Sequence, residues 1–369
     1  SQYTKATGAT ADAYDELTSQ VGPQGNGGTW TPNDWWAHTT TGATVEEPGY
    51  STTDVVNITA FTTPNSDGDR YPQWYAKWVD NWCFSVAPFD FVYCDNAFDG
   101  PRYDGAPIDW NRDGVADSET DPTVMAYWRA GMASYWTEIY ALMPGMQIMA
   151  NAGGSYLEAT GNLRYPEYQY KVGMALDEGF MGVSYSEETW SGWYNAMGSY
   201  GQLEANTAAP NIVLLRCAMT ADGMCADTST QSEYGGGASY AFMRYALAST
   251  LMGNGYFEAD PNDYSQNPPL WFDEFDLAGT ATTGWLGAAI DPPQTTPYQN
   301  GVFLRRFENG LAIVNPRTNP DLSVRTAETI TLPSGYKHFL GKQDPVTNNG
   351  QPVTSITIQA GDGVLLETQ

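Results

Sequence analysis

Residues 91–96 read FVYCDN, an apolar and aromatic run that ends in Asp95 and Asn96. Its length and composition predict a strand with its polar end at the carboxyl terminus, where parallel barrels hold their reactive groups. Five further runs of strand length surround it: VVNITAF (55–61), QIMANAG (147–153), GFMGVSY (179–185), NIVLLRCAM (211–219) and GYFEAD (255–260). Longer stretches of helical periodicity separate them, which argues for parallel β/α units. One such stretch, 123–143, spaces Met125, Trp128, Met132, Trp136, Ile139 and Met143 by three or four residues, a single apolar stripe for packing on the outside of a sheet.

The expected fold is therefore α/β: a (β/α)8 TIM-like barrel over residues 1–295. Residues 1–54 carry no clear strand, so either the barrel lacks its early strands or strands there escape the pattern. After residue 295 the pattern shortens to VFLRRF, GLAIVNP, AETITL, KHFL, VTSITI and GVLLET between Gly, Pro and Asn turns. This predicts a small antiparallel β-sandwich domain over 296–369, without a low-complexity linker.

Forty-three acidic residues against sixteen basic ones give a formal charge of −27 across 369 residues, and only five of the basic residues are lysines. Such a chain disfavours nucleic acid and anionic membranes as partners. It fits a secreted protein of a marine or saline setting, although ordinary secreted enzymes are acidic too. No run of eighteen apolar residues predicts a membrane span, and no signal peptide opens the chain, as expected of a mature or trimmed form. Cys217 and Cys225 flank a turn-rich segment and suit a local disulfide, while Cys83 and Cys94 read either as a second pair or as buried thiols. Neither a nucleophile elbow, a phosphate-binding loop nor a dinucleotide fingerprint is present.

Carboxylates crowd the rim beside FVYCDN, in FDGPRYDG (98–105) and DWNRDGVAD (109–117). Glycosidic cleavage needs one carboxylic acid to protonate the leaving oxygen and one carboxylate to attack or to activate water. Asp95 with Glu187 supplies that pair, and Glu188 is the neighbouring alternative. Asp99, Asp104, Glu258 and Asp260 are rivals for the acid. The bland alternative is that Asp95 caps a loop while Glu187 and Glu188 begin a solvated helix. Asn96, Arg102, Asn151, Tyr185, Trp190, Trp193, Arg216 and Glu258 form the candidate substrate-binding set. Trp35, Trp36 and Trp285 are further stacking candidates in loop-like contexts, whereas Trp74, Trp78 and Trp82 share one helix face and read as core.

Asp109, Asn111, Asp113, the Val115 carbonyl and Asp117 follow D-x-N-x-D-G-x-x-D, a spacing that wraps a cation around a glycine turn. Thr120 replaces the glutamate of an EF-hand, so Glu119 or Asp121 would close the shell of a structural Ca²⁺ within loop 109–121.

FVYCDN, YALASTLMGNGYFEAD (245–260), WFDEFDLAG (271–279) and FLRRFENGLAIVNP (303–316) together resemble glycoside hydrolases built from a (β/α)8 barrel and a small C-terminal β-domain, distantly like α-galactosidase-type and α-glucosidase-type barrels. The resemblance implies that FVYCDN is the fourth strand with Asp95 as nucleophile, and that GFMGVSY is the sixth. Glu187 and Glu188 then fall where those barrels usually carry an aspartate as proton donor. The resulting expectation is a retaining glycoside hydrolase acting on a poly- or oligosaccharide. A non-catalytic carbohydrate-binding or scaffold protein is the alternative, and a polysaccharide lyase a more distant one.

Overall fold

The computed structural model describes residues 2–4, 35–47, 50–85, 87–98, 100–101, 107–118, 120–151, 172–182, 186–218, 240–260 and 271–369. These fall into two units, one comprising the described residues up to Asn151 with 172–173, the other running from Met174 to Gln369.

The first unit opens with an antiparallel sheet of β1 (Gln2–Thr4), β3 (Tyr50–Val55) and β2 (Glu46–Glu47), in that order. VVNITAF was expected to start a parallel strand, but β3 ends at Val55. Asn57 and Thr59 then turn the chain, both side chains donating to the Trp110 carbonyl at 3.0 and 3.2 Å. Polar side chains that satisfy a buried carbonyl replace the ladder a strand would need. Helix α1 (Tyr71–Val79) carries Pro72 in its first turn and runs into a π-helical turn at Asp80–Phe84. Strand β4 (Phe91–Cys94) follows, then α2 (Pro122–Leu142) and β5 (Gln147–Asn151). β4 and β5 pair in parallel, with Phe91 opposite Gln147 and Cys94 opposite Ala150.

Helix α2 is capped by Asp121, whose carboxylate accepts from Thr123 N at 2.7 Å, with Pro122 in the first turn where no N–H is required. Its buried stripe is Val124, Trp128, Met132, Trp136 and Ile139, close to the pattern read from the sequence. Gly131 lies on this helix because a β-carbon there would collide with the Ile58 carbonyl oxygen. Trp35, Trp36, Trp110, Trp128 and Trp136 are each at most 1% exposed. A fully buried aromatic contributes roughly 4–6 kcal/mol of gross hydrophobic stabilisation. Trp35 and Trp36 are therefore core residues, unavailable for stacking on a sugar.

The second unit carries three parallel strands in the order β6 (Met174–Met181), β7 (Ile212–Ala218) and β8 (Tyr256–Asp260). Between them run α3 (Glu187–Ser191), α4 (Trp193–Asn206) and α5 (Tyr240–Leu251), and a short α6 (Asp273–Asp276) follows β8. β6 starts five residues before the expected GFMGVSY. Asp177 and Glu178 lie inside the strand, although two acids in a row read as loop. The described residues thus hold five parallel strands, β4 to β8, preceded by an antiparallel sheet in place of further parallel units.

A sandwich was expected at the C-terminus, and the strands there form one antiparallel sheet, β12 (Pro352–Ile358), β11 (Glu328–His338), β13 (Asp362–Thr368), β10 (Gly310–Asn315) and β9 (Phe303–Phe307). A register shift in β11 between Thr331 and Tyr336 allows the sheet to bend. Ile330, Leu332 and Ile358 pack with Leu304, Leu311, Ile313, Val364 and Leu366, so the sheet folds over one of its own faces. Helix α5 covers the other face. Gly363 permits this, since a β-carbon there would collide with the Arg244 carbonyl and reach the Ala248 side chain at 2.7 Å. Arg244, 2% exposed, then reaches Asp344 at 2.7 Å, Asp362 at 3.2 Å and the Gly363 carbonyl at 3.0 Å.

Candidate active site

Asp95 leaves β4 at its carboxyl end and is exposed. Its Oδ1 accepts from Asn151 Nδ2 at 2.9 Å, from the Tyr93 hydroxyl at 3.2 Å and from its neighbour Asn96 N at 2.9 Å. Among the described residues no donor reaches Oδ2. The arrangement follows from register: with Cys94 opposite Ala150, the next residues along the two strands are Asp95 and Asn151. Asn151 is buried and its carbonyl accepts from Ala97 N at 2.7 Å, which fixes the amide that holds Asp95. Asn96 adopts a φ of 49°, a left-handed conformation that asparagine tolerates, and bends the chain away just beyond the carboxylate.

A cavity of about 560 Å³ lies beside this carboxylate, with Asp95 and Asn96 in its wall. Half of the remaining wall is aromatic. Tyr71, Tyr75 and Trp78 of α1 stack in sequence with ring centroids 5.3 and 5.8 Å apart, and Tyr135 of α2 stacks on Tyr75 at 5.8 Å. Cys83 and Cys94 also border the cavity as half-buried, unbridged thiols. The expected partner of Cys217, Cys225, lies outside the described residues.

In the second unit Glu187 and Glu188 open α3 and are buried, 3% and 4% exposed, rather than solvated. Glu188 accepts from the Tyr245 hydroxyl at 2.9 Å and faces Arg317 at 3.6 Å. Arg317 in turn lies over the Phe242 and Tyr245 rings, so Glu188 fastens α3 to α5. Trp193 was read as a sugar-stacking residue, but it is 1% exposed, donates to Ser249 Oγ at 2.7 Å and packs 4.6 Å from the Phe303 ring. It is a core residue between α4, α5 and β9. Trp285 donates to the Glu274 carbonyl at 2.8 Å and anchors a loop. Trp190, in contrast, is 55% exposed.

Arg216 on β7 bridges its two neighbours, bonding Glu178 of β6 at 2.8 Å and Asp260 of β8 in a shorter contact. Glu258 stands opposite Arg216 in the β7–β8 register. Burial, then the charges of Asp260 and Glu178, push the Glu258 carboxyl above its ordinary range against the pull of Arg216. Asp177 escaped the sequence reading. It is 1% exposed, and burial, then Glu187, push its carboxyl well above the usual range against the pull of the Gly179 backbone N–H. The signal was the LDEG tetrapeptide (176–179), two acids closing an apolar run. Arg102, Tyr185, Asp99 and Asp104 lie outside the described residues.

The loop 109–117 is anchored by Trp110, which is buried against the Trp128 ring. Asp109 accepts from Asp113 N and Gly114 N at 3.0 and 2.8 Å, Asn111 from Asp113 N at 3.0 Å, Asp113 from Val115 N at 2.8 Å, and Asp117 from Trp110 N at 2.6 Å. Asp121 caps α2. Among the described residues no three His, Cys, Asp or Glu side chains group closely enough to hold a metal ion. No described helix is long and apolar enough to cross a membrane.

Among solved structures the chain is similar to a GH36 α-galactosidase of Geobacillus stearothermophilus, at 10% identity and a TM-score of 0.37, over 91% of this chain and 42% of that one. It is similar to a GH27 β-L-arabinopyranosidase of the same organism, at 10% identity and a TM-score of 0.41, over 91% and 67%. It is also similar to an α-amylase of Geobacillus thermoleovorans, at 10% identity and a TM-score of 0.39, over 98% and 73%. The chain spans less than half the length of the α-galactosidase. No curated protein matches it. A family model matches residues 5–311, most of the chain, and by that match the protein belongs to the hypothetical glycosyl hydrolase family 15.

Proposed function

We propose that the protein is a secreted glycoside hydrolase that cleaves a poly- or oligosaccharide with retention, Asp95 acting as nucleophile. What carries this reading is the one-sided holding of the Asp95 carboxylate: three donors on Oδ1 fix its rotation, and Oδ2 stays open at the strand end. A nucleophile needs that combination, because an oxygen already engaged is poorer at attack and an unheld carboxylate spends entropy in finding its aim. Oδ2 bonds to the anomeric carbon as the glycosidic C–O bond breaks, and a carboxylic acid gives its proton to the departing oxygen. Water then cleaves the glycosyl ester and returns the proton to that acid.

Glu187 is retained as the proposed proton donor, with Glu258 as its rival; burial and the charges of Asp260 and Glu178 hold the Glu258 carboxyl above the ordinary range. Glu188 is assigned a structural role through Tyr245 and Arg317. The exposed ring of Trp190 suits stacking on a sugar face. The charge of −27 is what supports a secreted, saline setting. For the loop 109–117 we propose a structural Ca²⁺, supported by the spacing of its oxygen side chains; the donors are Asp109, Asn111, Asp113, the Val115 carbonyl and Asp117.

Reducing-end release from a panel of plant and marine polysaccharides, run with native protein and Asp95→Asn, tests the assignment. Release by native protein alone supports it. Equal glycan retention by both proteins, with no release by either, identifies a carbohydrate-binding protein instead.

A further inference from the structure

The cavity beside Asp95 has a composition unlike that of a sugar subsite. A pyranose presents several hydroxyls, and each needs a donor or acceptor once water is displaced. Here the charged and amide groups are confined to one end, at Asp95 and Asn96, and the Tyr93 hydroxyl is already given to Asp95. Away from that end the wall is Trp78, Val79, Phe84, Val92 and Met132, with two thiols that hydrogen-bond weakly. The phenols of Tyr71, Tyr75 and Tyr135 and the indole N–H of Trp78 are its other polar side-chain groups. Burial pushes the Tyr75 hydroxyl and the Cys94 thiol each up to about 12, as expected where little bulk water penetrates. The volume of about 560 Å³ lies within the range of small-molecule pockets, about 300–1,000 Å³.

We propose that this cavity receives an apolar aglycone, an aryl or alkyl group carried by the glycoside, and so selects substrates whose leaving group is hydrophobic. The inference rests on the reading of Asp95 as nucleophile: the polar end of the cavity sits at the reacting carboxylate, and the apolar wall extends away from it. Aromatic walls stack on an aryl group and pack against an alkyl chain without asking for a hydroxyl partner. The stacked series Tyr71, Tyr75 and Trp78 holds these rings in place before any ligand arrives, so little side-chain entropy is lost on binding.

The probe is N-phenyl-1-naphthylamine, a neutral dye that brightens in apolar sites and escapes repulsion by a chain of charge −27. It is titrated into native protein, Asp95→Asn, and two cavity-filling variants, Cys83→Phe and Val92→Phe, whose folding is checked by near-ultraviolet circular dichroism. Expected are saturable binding to native protein and to Asp95→Asn alike, and binding weakened roughly tenfold or more by either filling. Octyl glucoside below its micelle concentration is expected to displace the dye where methyl glucoside does not, an arm that needs no variant. Absence of binding, or binding indifferent to both fillings and to octyl glucoside, overturns the proposal. With a cleavable sugar in hand, kcat/KM for its aryl glycoside is expected to exceed that for its methyl glycoside about tenfold in native protein, beyond what leaving-group acidity gives in the filled variants. Equal ratios in native and filled proteins also overturn it. Failure of all turnover would remove the glycosidase reading while the dye titration still decides the cavity.

Discussion

Asp95 and Asp177 are both aspartates of parallel strands, and they differ in almost every property that decides chemistry. Asp95 lies just past the end of β4, exposed, with three donors on one oxygen and none of the described donors on the other. Asp177 sits within β6, 1% exposed, with the charge of Glu187 nearby. The first can act as a carboxylate because water and fixed amides support its charge. The second is driven to keep its proton, since an isolated buried charge costs far more than a neutral acid. Position along a strand, end against interior, thus separates an exposed, held carboxylate from one shut away from water.

The largest expected effect tests the reactive side. Asp95→Asn is expected to lower kcat by roughly 10³-fold or more with an unchanged circular dichroism spectrum, and retained turnover would end the comparison as drawn. Asn151→Ala comes next. It removes the buried donor to Oδ1 and is expected to cost about 10²-fold in kcat with KM little changed, because the carboxylate loses its aim and substrate binding does not. A matching rise in KM would indicate instead that Asn151 holds substrate.

Asp177→Asn sharpens the other side through pH. A carboxyl raised in the folded state contributes stability that is full below its unfolded pKa, about 3.9, and is lost as pH rises through the folded value. Native protein is therefore expected to lose stability on moving from pH 5 to pH 9, and the asparagine variant to keep it. Melting temperatures should coincide at pH 5 and diverge by roughly 2–6 °C in favour of the variant at pH 9. Coincidence at both pH values would mean that Asp177 is ionised without cost. The smallest effect is expected of loop 109–117, whose carboxylates are already satisfied by backbone N–H groups: chelation of calcium should lower the melting temperature by about 1–3 °C, and no shift would remove the ion from the account.

Much of this was legible because strand-length apolar runs between turns announce themselves. β4, β5, β7 and β8 lie where the sequence placed them, and Asp95 stood out as an acid closing an apolar run. The start of β6 was misplaced because two adjacent carboxyls, Asp177 and Glu178, interrupt its apolar run. Its position became clear only through pairing with β7, where Asp177 stands opposite Leu215. The burial of Trp193 depends on Phe303, more than a hundred residues away, and the anchoring of Glu188 on Tyr245 and Arg317. Such long-range partners leave no trace in local periodicity. The antiparallel start of the chain was missed for the same reason, its strands being too short and polar to show a pattern.

Arg244 carries a consequence for how this molecule can be divided. Its guanidinium is supplied by a helix that precedes β8, yet its carboxylate partners, Asp344 and Asp362, come from the far end of the chain. Cutting at residue 295 would leave that cation sealed under no sheet, and would strip Gly363 and the apolar face of β13 from α5. The C-terminal sheet is thus not a cassette that gene fusion could append or discard; a protease that nicked the connection near residue 295 should leave both fragments bound to each other.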